Sequence, residues 1–162
     1  MQNHQRLQRL SGVLYWVALV LSVLLPIIVL VYAGQGVSDP ASLLSRAPLV
    51  PAGTPVTTTQ AGLVAAVALI SVLPMVAALR GMVRLFAAYR DGEVLSVGNA
   101  ETILRIGRNF LMVAAFTVLV PTLQVLILSW RAGQRMLSIG LDQGTLGFLL
   151  AAGLLTVIGF AM

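Results

Sequence analysis

Four long stretches of this chain carry no formal charge: residues 10–38, 57–79, 109–130 and 143–162. The hydrocarbon core of a bilayer is about 30 Å thick and takes roughly 20 apolar helical residues to cross. Each stretch has that length. A charge near the middle of such a helix costs about 2.5–3.5 kcal/mol on insertion, so uninterrupted runs of this kind mark an integral membrane protein. The expected spans are residues 11–33, 59–80, 109–130 and 142–162. They leave an external loop at 34–58 and a segment at 80–108 between the second and third spans.

Composition decides between helices and a barrel. Of the residues, 59% are hydrophobic and 9% charged, against about 25% charged in an average soluble domain. A transmembrane barrel would show segments of about ten alternating residues, and a run such as Val64-Ala-Ala-Val-Ala-Leu-Ile70 does not alternate. In lipid the backbone must satisfy its own hydrogen bonds, which a helix does within one segment. The reading is an all-α polytopic membrane protein, a single four-helix transmembrane domain.

The charged residues set orientation. All ten basic residues are arginine. Arg6 and Arg9 lie in the N-terminal tail, and Arg80, Arg84, Arg90, Arg105 and Arg108 between the second and third spans. Arg46, Arg131 and Arg135 are left to the other two loops. The positive-inside rule then puts both termini and the central segment in the cytoplasm, which for a bacterial protein means the inner membrane. The first apolar stretch exceeds the 7–15 residues of a signal peptide and is read as a retained span.

Local signals refine this outline. Tyr15 and Trp16 stand where an interfacial aromatic anchor belongs, and Tyr32 marks the far end of the first span. Pro26, Pro74 and Pro121 fall inside spans. Neighbouring helices tolerate such prolines, so they are read as shaping the helices rather than as transport hinges. Asp39-Pro40 predicts a short surface helix over 41–46. Beyond Arg80 the helical periodicity runs on through Arg84, Leu85, Phe86, Tyr89 and Arg90 to an Asp91-Gly92 turn. Ser96 and Asn99 are both candidate caps for a helix expected to start near Ala100. The second and third helices should therefore project from the membrane as a hairpin. In the last span, Gly140 with Gly144 and Gly147 with Ala151 have the small-xxx-small spacing that permits close packing.

Chemistry is sparse. Cysteine is absent and His4 is the single histidine, which excludes thiolate metal sites and haem held between two of the chain's own histidines. The acidic residues are Asp39, Asp91, Glu93, Glu101 and Asp142, none in mid-span, so the usual carrier of proton coupling is missing. Asp91 and Glu93 flank a turn among arginines and read as solvated charges. No nucleophile motif, phosphate loop or ligand cluster stands out. The expectation is no enzyme, no metal and no cofactor.

Two polar features remain. Gln124, with Thr117 and Thr122 nearby, is the conspicuous amide of the third span. It reads first as an interhelical hydrogen-bonding residue and second as lining a pathway. Arg80, Arg84, Arg90, Arg105 and Arg108, with Phe86, Tyr89, Val94 and Leu95, form a candidate surface for anionic lipid headgroups and for a protein partner. Nucleic acid is not expected, because no reading module accompanies the arginines.

The hairpin carries a resemblance. Leu85-Phe-Ala-Ala-Tyr89-Arg90-Asp-Gly92-Glu93-Val-Leu-Ser96, then Asn99 and Leu104-Arg105-Ile106-Gly107, resembles a bacterial family of small four-helix inner-membrane proteins known only as a domain of unknown function. Leu95 stands where that family has an aromatic residue. Family members continue past the fourth span into a glutamate-rich tail, whereas this sequence reaches Met162 at the end of its last apolar stretch. Some members are encoded beside a small helix-turn-helix regulator, so the resemblance implies signalling or sequestration at the membrane. It implies no catalytic residue. The leading expectation is a membrane subunit or adaptor, and the alternative is a small oligomeric transporter or channel.

Overall fold

In the computed structural model every described element is a helix, in the order α1 Gln2–Ser38, α2 Ser42–Ser45, α3 Thr58–Arg90, α4 Val97–Ser129 and α5 Gln143–Ala161. The structure describes residues 2–45, 47, 50, 51, 53–93, 96–130 and 143–161, with the backbone alone at 2–8 and 143. Four of the helices are long and apolar enough to cross a membrane. The protein is an all-α multi-pass membrane protein.

α3 and α4 have 33 residues each, about 50 Å at 1.5 Å per residue, which exceeds the roughly 30 Å hydrocarbon core. The excess forms the hairpin. α3 stops where Gly92 takes φ +91, a conformation that a residue with a Cβ resists. The Asp91 and Gly92 amides donate back to the Ala87 and Tyr89 carbonyls. α4 starts at Val97, three residues before the expected Ala100, because Ser96 is the cap and accepts from the Asn99 amide at 3.2 Å. Asn99 is buried, and its side chain closes the turn instead of capping the helix. Its Nδ2 donates to the Glu93 carbonyl at 2.6 Å.

At the other end of the pair, Thr57 and Gln60 make a capping box on α3. Gln60 Nε2 also donates to the Ile127 carbonyl on α4 at 2.9 Å. Between the ends the two helices approach closely at Gly81, where a Cβ would lie 2.7 Å from Ile106 Cγ1.

Pro26, Pro74 and Pro121 all sit inside continuous helices. A hydroxyl residue precedes each by three or four positions and bonds within its own helix: Ser22 to Leu19, Ser71 to Ala68, and Thr117 to Val113 and Ala114. Such back-bonding settles these hydroxyls in an apolar span and favours a bend.

Two buried clusters hold the helices together. Near α2, the residues Leu43, Ala47, Val50, Ala61, Val64, Val125 and Leu128 pack the loop onto α3 and α4. Toward the hairpin, Ala78, Leu85, Ile103, Ile106, Phe110 and Ala152 join α3, α4 and α5. Phe110 and Phe148 stand with ring centroids 5.9 Å apart across the α4–α5 seam. The substantial helix contacts run in chain order, α1 on α3, α3 on α4 and α4 on α5. α1 belongs to neither cluster and leaves most of its apolar surface, from Leu10 to Val37, uncovered by the chain. In water that surface would be untenable. In lipid it needs no protein partner, since acyl chains are as apolar as leucine.

The small-residue seam differs from the one expected in α5. A Cβ at Gly147 would meet nothing within 4 Å, and Gly140 lies outside the described residues. The tight contacts are at Gly107, against the Ala152 carbonyl and Thr156, and at Gly159, against Leu104.

Candidate functional site

The arginines of the α3–α4 hairpin fall into three groups. Arg80 and Arg84 continue the exposed stripe of α3, in which Leu63, Ala66, Ile70, Leu73 and Ala77 recur every three or four residues. Arg105 and Arg108 hold the same place on α4, where Met112, Ala115, Leu119 and Leu123 carry the stripe onward and Glu101 begins it. Each stripe is apolar along the span and turns basic toward the hairpin, as helices leaving a bilayer into headgroups do.

Arg90 is different. Its guanidinium carbon lies 5.4 Å from the Tyr15 ring centroid, a cation–π contact that ties α3 to α1. Its Nε is 3.8 Å from Asp91 Oδ1, and both side chains are exposed. That is the one ion pair among the described residues. Arg80, Arg84, Arg105 and Arg108 line the outer faces of their helices and make no ion pair among those residues.

The aromatic members of the expected surface turn inward. Tyr89 packs against the Leu85–Ile103–Ile106 cluster, and Phe86 is half-buried. Val94 and Leu95 lie outside the described residues. The exposed charge of the hairpin is therefore five guanidiniums together with the carboxylates of Asp91, Glu93 and Glu101 near its turn.

Among the described residues, two hollows flank the helices. One, of about 430 Å³, lies between α1, α3 and α4 near α2. Alanine and valine side chains make most of its wall, and Tyr32, Pro121 and Gln124 reach it. Gln124 is half-buried, with no side-chain hydrogen bond among the described residues. It sits about 9 Å along α4 from Trp130, in the half of the span away from the hairpin. Thr122 bonds to the Val118 carbonyl of its own helix, as Thr117 does to α4 carbonyls.

The other hollow is a groove of about 840 Å³ between α4 and α5. Leu104, Leu111, Leu149 and Val157 form apolar walls, with Glu101, Arg105 and Arg108 along one side. Gln60 and Asn99, the buried amides that fix the two ends of the α3–α4 pair, do not stand out as a set in the sequence. Their signals are nonetheless present: Thr57-x-x-Gln60 ahead of an apolar run is a capping box, and Asn99 follows a capping serine by three residues. Comparison of the chain with family models, with curated proteins and with solved structures finds no match.

Proposed function

We propose that the protein is a non-enzymatic subunit or adaptor of the bacterial inner membrane. It carries both termini and the α3–α4 hairpin in the cytoplasm and docks an acidic segment of a protein partner on its arginines. One observation carries the reading: four arginines on the outer faces of the hairpin end have no acidic partner among the described residues. A helix-surface arginine can be met by an i,i+4 carboxylate; of these four only Arg105 has one in reach, Glu101, and the two make no ion pair. The resemblance of residues 85–107 to a family some of whose members are encoded beside a small helix-turn-helix regulator agrees with a cytoplasmic docking role.

The test is gentle extraction of the protein from native membranes, size separation and mass spectrometry of what co-migrates. A stoichiometric companion that is lost on Arg80→Glu with Arg84→Glu, while the protein stays folded and inserted, is the expected result. Migration alone, or a companion that stays with the folded charge-reversed variant, overturns it.

A second reading has its own observation, the hollow reached by Gln124. As a small oligomeric transporter or channel, the protein would use that amide to hold a polar group on its way through α1, α3 and α4. Flux in sealed vesicles that Gln124→Leu abolishes would favour it.

A further inference from the structure

We propose that the α4–α5 groove binds one anionic glycerophospholipid, its phosphate on Arg105 and Arg108 and an acyl chain along the apolar α5 wall that faces them. The docking reading also counts Arg105 and Arg108, but its test is placed on Arg80 and Arg84 of α3, so the two can fail separately.

The order of the lining carries the argument. Along α4, moving from the hairpin into the span, the groove meets Glu101, then Arg105 and Arg108, then Leu111. Across it, α5 contributes Leu149, Gly153 and Val157. On α4 the charge lies at the end that leaves the membrane with Leu111 beyond it, and the α5 wall facing it is apolar from Leu149 to Phe160, so a headgroup can meet the arginines while its chain lies against α5. A free inorganic anion needs no trough, and a hydrocarbon chain alone needs no arginines. Guanidinium is the side chain suited to phosphate, because its planar fork can give two N–H bonds to one anion. Arg105 and Arg108 stand one turn apart on one stripe and make no ion pair among the described residues. Glu101, one turn farther out, brings the rim to a net charge of +1, which matches a headgroup with one negative charge. It also offers an acceptor to a hydroxyl on that headgroup. A zwitterionic lipid would leave the rim's net charge unmatched.

Glycine keeps the trough open. A Cβ at Gly153 would meet nothing within 4 Å, so a larger side chain there fills the groove without pushing α5 off α4.

The experiment is native mass spectrometry of the full chain in neutral micelles titrated with phosphatidylglycerol, phosphatidylethanolamine or phosphatidylcholine. One phosphatidylglycerol is expected to be retained in preference to the other two. At about fivefold per arginine near a membrane surface, Arg105→Gln with Arg108→Gln should lower its retention about thirtyfold. Gly153→Leu should remove it with the unfolding midpoint unchanged. Arg80→Gln with Arg84→Gln should leave it intact. Equal retention of the three lipids, survival of binding in Gly153→Leu, or an equal loss from the α3 arginine pair would each overturn the site.

Discussion

Gln60 on the first turn of α3 donates to the carbonyl of Ile127 on the last turn of α4, so one side chain both caps a helix and bolts it to its neighbour. Thr57 N donates to Gln60 Oε1 at 2.9 Å, which fixes the amide and points Nε2 across the gap. Replacing it with leucine removes a capping partner and leaves the Thr57 amide without its acceptor. Caps and buried hydrogen bonds are each worth about 1 kcal/mol, so Gln60→Leu should cost about 2 kcal/mol, read as a lower unfolding midpoint in mixed micelles. Gln60→Glu keeps the acceptor for Thr57 but sets a buried carboxylate oxygen against the Ile127 carbonyl, and should cost at least as much. A midpoint for Gln60→Leu equal to that of the native chain would remove this amide from the set that holds α3 to α4.

The approach at Gly81 makes a second prediction. Ile106 is 1% exposed and has nowhere to retreat, so the methyl of Gly81→Ala should cost about 1–3 kcal/mol as overpacking. Combining it with Ile106→Ala makes room, and the two changes together should cost less than their sum. Strict additivity of the two midpoint shifts would mean the helices part at Gly81 instead of touching.

Arg90 and Tyr15 link α3 to α1 near the surface. Cation–π contacts at exposed sites contribute about 0.5–1 kcal/mol. A double-mutant cycle of Tyr15→Leu and Arg90→Gln should return a coupling of that size, and Asp91→Asn should barely change it. A coupling of zero would leave α1 held by apolar packing alone.

Orientation can be read directly, because the chain has no cysteine of its own. Ser45 and Glu93 are exposed and lie at opposite ends of the helices. In intact spheroplasts an impermeant maleimide should label Ser45→Cys and spare Glu93→Cys until the membrane is opened. The reverse pattern would put the arginines outside and end the docking proposal as stated.

The helices themselves are legible from charge alone, since a bilayer tolerates no other long runs of this kind. So is the hairpin, because Arg80 and Arg84 keep the helical spacing going past the apolar limit and Asp91-Gly92 marks its end. The start of α4 falls three residues before the expected position for a local reason: Ser96 and Asn99 both suit a cap, and only the geometry shows that Asn99 reaches back to Glu93. Which helix meets which is not legible. Leucine facing lipid and leucine facing leucine look alike in a sequence, so nothing in α1 announces that α3 is the long helix it packs on. The glycines mislead for the same reason. Gly147 and Ala151 have the spacing of a tight seam, yet spacing does not say which side of α5 meets α4, and Gly107 and Gly159 take that role. The division of the arginines among an α3 stripe, a Tyr15 contact and an α4–α5 groove likewise depends on neighbours that the sequence does not name.

Because each long helix packs chiefly on the one before it, every major interface joins segments that leave the ribosome consecutively. α3 finds α1 already inserted, α4 finds α3, and α5 finds α4. Assembly on this plan needs no helix to wait for a distant partner. A defect in one span should then disturb the interface made next and spare those made before it, so the order of synthesis is also the order in which the protein becomes whole.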